Sequence, residues 1–168
     1  ATQATDLNPT NSDNVLLLYG FSATTCPNSS SDDNNHRERN SLSNGGGNVC
    51  EWNREHVYAK SLGTPALVDG ALTSVDSDAG EDAHHLRSCD VDRNSNRGNL
   101  KFAQGSGNSS TVTNGWYPGD EWKGDVARMM MYMYLRYPTQ CLPINVGTGA
   151  TVSTDTNMIQ LFLQWNAE

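Results

Sequence analysis

Glu55 and His56 stand side by side in the stretch CEWNREHVYAKSLG, residues 50 to 63, between Arg54 and Lys60. The segment is too charged and too aperiodic for bulk core, so a carboxylate next to an imidazole asks for a ligand, a metal or a substrate. If a strand carries the pair, the two side chains point to opposite faces and serve different partners around one small site where the strand bends or ends. That arrangement suits phosphodiester hydrolysis. The carboxylate holds a hard divalent cation, and the imidazole, off the metal, takes a proton from the attacking water. Asn99, in NSNRGNLKF, offers a neutral carbonyl oxygen to the same ion, because a largely hydrated Mg²⁺ needs only one or two protein ligands. Arginines nearby would clamp the phosphate. On composition and spacing alone, the plainer reading of these residues as a surface salt-bridge cluster weighs more.

Other chemistries lack local support: the chain has no G-x-x-x-x-G-K-[ST], no H-E-x-x-H and no G-x-S-x-G. DVDRNSNRGNL has the outline of an EF-hand loop, but the glutamate and central glycine that such a loop needs are misplaced. Asp82, His84 and His85 read as groups that orient others or tie a loop to the core, with metal ligation the lesser alternative. His36 reads as a solvated histidine. For Arg97 and Arg128, phosphate contact and structural ion pairing weigh equally, since Asp125 lies within helical reach of Arg128. Trp116 and Trp122 could stack on bases, but packing is favoured.

The formal net charge of −8 argues against a broad polyanion-binding surface. Yet Arg54, Lys60, Arg87, Arg93, Arg97 and Lys101 fall close together in the chain, whereas many acids sit in loops such as VDSDAGED, so a local basic track is open.

The 168 residues fit one domain, 1–168, with a real hydrophobic core. The longest apolar run, MMMYMYL, is far too short to span a bilayer. SDNVLLLYG predicts a helix near Ser12 to Gly20, and CPNSSSDDNNHRERNSLSNGGGN a long loop. Val49, Trp52, Val57 and Tyr58 predict a short strand ending at the Glu55 and His56 pair. PALVDGALTSV is balanced between helix and strand. The region from Asp82 to Phe102 is too irregular for a long strand and holds a short polar helix, with Asp92, Asn96 and Asn99 on one side and Gly98 weakening it. A helix capped at Asp120 and stopped by Pro138 is apolar on nearly every side and so should be covered on several faces. A last helix, near Thr156 to Trp165, would give Met158, Ile159, Phe162 and Leu163 to the same core. The four cysteines, Cys26, Cys50, Cys89 and Cys141, are too far apart for a zinc knuckle and allow two disulfides in three connectivities. Cys50 and Cys89 each lie next to a motif with chemistry, which favours their pairing and leaves Cys26 for Cys141. The opening ATQATDLNPT has neither a basic start nor an apolar segment, so an export signal was either never there or already removed.

Four blocks in order, WNREHVYAKSLG, DAHHLRSCD, NSNRGNLKF and KGDVARMMMYM, resemble the endonuclease I family, secreted or periplasmic non-specific nucleases of the ββα-metal (His-Me finger) group. The resemblance implies an α+β, mainly helical domain around a ββα-metal core with long loops. It implies Glu55 and Asn99 as ligands of Mg²⁺, with Mn²⁺ or Ca²⁺ as alternatives, and His56 as general base. Arg97 and Arg128 are then the phosphate-contact candidates. Expected substrates are double- and single-stranded DNA and RNA, cut to leave 5′-phosphate ends. Disulfides and a removed signal peptide follow from the same resemblance, and a monomer with no membrane partner is expected. One departure stands out: NGGGNVC lacks the arginine that relatives often carry in a glycine-rich approach to a cysteine. A secreted binding module that has lost catalysis is the alternative from another class, and the intact Glu55, His56 and Asn99 set argues against it.

Overall fold

A computed structural model describes residues 2–20, 37–45, 50–68 and 78–168. Cys26, His36 and most of the segment balanced between helix and strand lie outside the described residues. Within those described, the chain divides into two compact units, Ala1–Glu55 with Leu86–Gly98, and His56–His85 with Asn99–Glu168.

The first unit opens with a one-turn helix α1 (Thr2–Thr5) and a three-stranded antiparallel sheet of β1 (Leu7–Asn8), β2 (Asn11–Leu16) and β3 (Glu38–Asn40), in that order. The helix expected near Ser12 to Gly20 is therefore a strand. Its apolar residues are consecutive rather than spaced, and Val15 and Leu17 pack with Trp52 in a buried cluster. Part of the polar segment expected to be loop is also a strand, β3, because Arg39 is buried against Asp90 with Nη2 3.2 Å from Oδ2. A charge that polarity assigned to solvent thus belongs to the interior, held there by its carboxylate.

Strands β4 (Trp52–His56) and β5 (Leu86–Asp90) pair in a second sheet, and the chain passes from β5 directly into helix α2 (Val91–Arg97). Asp90 caps α2 by accepting from the N–H groups of Asp92 and Arg93, which satisfies donors that a helix start leaves open. Gly98, at φ 51°, ends it in a backbone region that a β-carbon disfavours.

The second unit holds a hairpin of β6 (Ser110–Val112) and β7 (Gly115–Tyr117), turned at Asn114 with φ 70°. The long helix α3 (Lys123–Arg136), the short α4 (Pro143–Val146), the antiparallel pair β8 (Thr151–Val152) and β9 (Asp155–Ile159), and α5 (Gln160–Ala167) complete it. Helix α3 begins at Lys123 rather than at an Asp120 cap, since Asp120 accepts instead from Tyr117 and from the Gly107 N–H. It buries one face, Val126, Ala127, Met130 and Met133, and leaves Leu135 83% exposed, so it is not covered all round. The last predicted helix starts as strand β9, and Leu163 faces out at 42% exposure while Phe162 and Trp165 pack with Phe102 and Tyr117. Trp116 and Trp122 are buried packing residues.

Helix makes up 33% of the described residues, which corrects the mainly helical expectation to α+β with small antiparallel sheets. None of those helices is long and apolar enough to cross a membrane. Cys89 and Cys141 are free, buried thiols, which overturns both expected pairings, Cys50 with Cys89 and Cys26 with Cys141. Cys50 itself is disulfide-bonded. Burial pushes the Cys89 thiol well up, and the Cys141 thiol up to about 12, so neither is a ready nucleophile.

Candidate functional site

In the first unit the focus is Glu55, 3% exposed near the end of β4. Its Oε1 accepts from Arg97 Nη1 at 3.0 Å and from the Tyr19 hydroxyl at 3.2 Å. Arg97, the last residue of α2, is 1% exposed, so this is a buried ion pair rather than a surface one. Tyr19 sits at φ 70°, an uncommon conformation for a bulky residue. Nothing in the sequence marks Tyr19; its role depends on a chain reversal after β2 that places its hydroxyl on Glu55. Burial and the neighbouring Glu55 charge raise the Tyr19 pKa well above its ordinary value, so it remains a proton donor. On α2, Asn94 Nδ2 donates to Asn53 Oδ1 at 2.7 Å, tying the helix to β4.

In the second unit, half-buried His56 places Nε2 3.0 Å from the carbonyl oxygen of Gly80. A carbonyl only accepts, so Nε2 carries the hydrogen and the basic lone pair of the neutral ring is on Nδ1. His85 is fully buried and repeats the pattern, with Nε2 2.7 Å from the Ala79 carbonyl. His84 is exposed, stacks on Tyr132 with ring centroids 4.3 Å apart, and places Nδ1 3.0 Å from Asp82 Oδ1. Asp82 is a hub: its Oδ2 accepts from the hydroxyls of Tyr132 at 3.1 Å and Tyr137 at 3.0 Å, and its Oδ1 from the His84 N–H at 2.9 Å. Burial pushes the Asp82 carboxyl up, but these hydrogen bonds outweigh it and hold the pKa below the ordinary carboxylate value. The expectation that this motif ties a loop to the core thus takes concrete form: Asp82 anchors the segment to α3.

Asn99 is exposed and follows Gly98, past the end of α2 rather than on it, because the glycine's positive φ breaks the helical path. Its Nδ2 donates to Ser61 Oγ at 3.4 Å. Arg128 has a half-exposed side chain that pairs with Asp125 on the same helix. Of the expected basic track, Arg87 pairs with Asp6 at 2.7 Å, Arg97 with Glu55, and Lys101 donates to the Ile144 carbonyl at 3.0 Å.

The Endonuclease I family model matches the chain over residues 1–168. The chain belongs to the endonuclease I family. The extracellular ribonuclease of Bacillus amyloliquefaciens is 35% identical to it over 178 aligned residues, covering 100% of this chain and 53% of that protein. The extracellular ribonuclease of Bacillus subtilis (strain 168) is 36% identical over 178, covering 100% of this chain and 54% of that protein. The chain therefore spans about half the length of the curated relatives it matches.

Proposed function

We propose that this endonuclease I family chain is a secreted, metal-dependent endonuclease that hydrolyses phosphodiester bonds of DNA and RNA to leave 5′-phosphate ends. Family membership supports the nuclease reading, and the names of the two Bacillus relatives support RNA as a substrate and an extracellular setting. The observation that carries the mechanism is the His56 ring: its Nε2–H is held by the Gly80 carbonyl, which directs basicity to Nδ1. In this reading β4, β5 and α2 form the ββα-metal core.

Each residue then has a task. His56 Nδ1 removes a proton from the water that attacks phosphorus. Glu55 and Asn99 would hold the divalent ion, Mg²⁺ with Mn²⁺ or Ca²⁺ as alternatives. Their donors, a carboxylate and an amide oxygen, fit a hard cation and not a catalytic zinc, which recruits nitrogen or sulfur. The Asn99 amide fits in particular, because its nitrogen is engaged by Ser61, which orients the group. When bound, such an ion supplies charge neutralisation at the phosphate and the leaving oxygen. Arg97 holds the Glu55 carboxylate in place, and Arg128, whose guanidinium is half-exposed, is the candidate for phosphate contact.

Purified protein incubated with plasmid and with structured RNA, first with Mg²⁺ and then with EDTA, tests the proposal. Cleavage to 5′-phosphate ends that stops on chelation is expected. Full activity after chelation, or no cleavage of either polymer, would reject it.

A further inference from the structure

We propose that His85 is a positioning residue for His56, acting through the two consecutive main-chain carbonyls of Ala79 and Gly80. The inference rests on the reading of His56 as general base and extends it to a residue that touches neither substrate nor ion.

Two imidazoles hang from one short turn. His85 Nε2 is 2.7 Å from the Ala79 oxygen and His56 Nε2 is 3.0 Å from the Gly80 oxygen, the very next carbonyl. The turn that presents both acceptors, Asp78–Gly80, is a single 3-10 turn of three residues. Such a turn is too short to define its own orientation, so an outside tie must fix which way its carbonyls point. The side chain of His85 supplies that tie from a fully buried position, through the hydrogen bond of its Nε2.

The His85 backbone fixes the other side of the same arrangement. Its carbonyl accepts from the Val57 N–H at 3.0 Å, the residue next to His56, and its own N–H donates to the Asp82 carbonyl at 3.3 Å. Asp82 is in turn fastened to α3 through Tyr132 and Tyr137. One residue thus holds the backbone beside the His56 ring and the carbonyl next to the one that accepts the His56 hydrogen bond. The two ring centroids are 5.7 Å apart and tilted by 57°, and each Nε2 has its own carbonyl, so the coupling runs through the main chain and not from ring to ring.

The chemical content is tautomer selection. With the Gly80 carbonyl aimed at Nε2, the neutral His56 ring keeps its hydrogen there and its lone pair on Nδ1. If the turn swings, His56 populates both tautomers and more than one rotamer, and the base is correctly presented only part of the time.

The test uses three variants of the full chain. H85L removes the donor at similar volume, H85N keeps polarity but is too short to reach the Ala79 carbonyl, and H85Q can return an N–H to the place of Nε2. ¹⁵N spectra of the imidazoles, taken at one alkaline pH where the rings are neutral, report the His56 tautomer without any need for activity. The expected result is a single Nε2–H form in wild type and H85Q, and a mixture in H85L and H85N. The kcat for oligonucleotide cleavage should fall about 10- to 100-fold in H85L and H85N, with KM changed less than about twofold, and recover most of the loss in H85Q. If H85L does not fold, H85N carries the same comparison. An unchanged His56 tautomer in a folded H85N, or an H85Q no better than H85N, would overturn the proposal. Absence of nuclease activity in wild type would instead count against the proposed function, and the tautomer comparison would still decide the role of His85.

Discussion

Glu55 and His56 are neighbours in the chain with opposite surroundings, and each makes its own prediction. Glu55 is buried on a guanidinium, and removing Arg97 leaves a buried carboxylate without that countercharge. Arg97→Met should therefore destabilise the protein by about 3–5 kcal/mol. Denaturant unfolding in EDTA measures this apart from catalysis, and a change below about 1 kcal/mol would show the pair to be solvated. His56 is only half-buried, so His56→Ala should stay folded while turnover falls by roughly 10²-fold or more. Metal affinity separates the two roles, for example by Mn²⁺ titration followed by paramagnetic resonance. Glu55→Gln should lose affinity and His56→Ala should keep it; equal losses in both would make His56 a ligand and not a base. What was legible here in the sequence is that neighbouring side chains on one strand serve different partners, in the structure Arg97 and Tyr19 for Glu55 and the Gly80 carbonyl for His56. Tyr19 was not legible, since a tyrosine closing an apolar run looks like any core residue, and only its backbone reversal brings the hydroxyl to Glu55. The structural tie of His85 was likewise hidden, because adjacent histidines look equivalent until one is buried and the other is left on the surface.

At the level of elements, the strand and helices around the motifs were read correctly in kind, and those defined by distant partners were not. The strand ending at Glu55 and His56, the short polar helix α2 and the long helix α3 are each marked by local pattern and by stop residues. Strands β2 and β3 are marked by nothing local, since they pair across a long stretch of chain and depend on Arg39 meeting Asp90. Asp90 has two tasks, capping α2 with one oxygen and holding Arg39 with the other, so it binds helix and sheet within one unit. Gly98 also belongs to this scale. With φ at 51°, Gly98→Ala should cost about 1–3 kcal/mol and displace Asn99, lowering metal affinity as well as the melting temperature. The anchor at Asp82 predicts a pH dependence. Its folded pKa lies below the ordinary value of 3.8, so on acidification the unfolded chain takes up the proton first. The stability contributed by Asp82 is fully present above 3.8 and is lost as the pH falls through the folded value. Comparing wild type with Asp82→Asn by thermal unfolding across that range should show a difference that is constant near neutrality and shrinks in acid; a difference that grows in acid would contradict the assignment.

For the molecule as a whole, the question is how a chain of formal charge −8 would handle the polyanion that the proposed function assigns to it. Cations of the basic track are partly committed inside their own units, Arg87 to Asp6, Arg97 to Glu55 and Lys101 to a main-chain carbonyl. Few phosphates can then be neutralised by side chains alone. The logarithm of binding affinity should fall with the logarithm of salt at a slope of about −2 to −4, well short of the slope near −10 of a protein built on many phosphate contacts. Base reading has little to work with either. Helix α2 is a seven-residue helix capped at one end by Asp90 and ended at the other by Gly98, and its last arginine is buried on Glu55. A helix of this kind does not present a row of side chains to base edges, so contacts should go to phosphate and sugar, and cleavage should spread over many sites. The divalent ion proposed for Glu55 and Asn99 would change the balance, because its charge would add attraction that a surface of lysines would otherwise have to provide. The measurement is end mapping on several DNA and RNA sequences at matched ionic strength, metal-free and then with Mg²⁺, Mn²⁺, Ca²⁺ or Zn²⁺. Scattered cuts with Mg²⁺ or Mn²⁺ and little activity with Zn²⁺ are expected. Cleavage confined to one motif would mean that base recognition lies on a surface other than α2, and zinc as the best ion would reject an oxygen-only ligand set of Glu55 and Asn99.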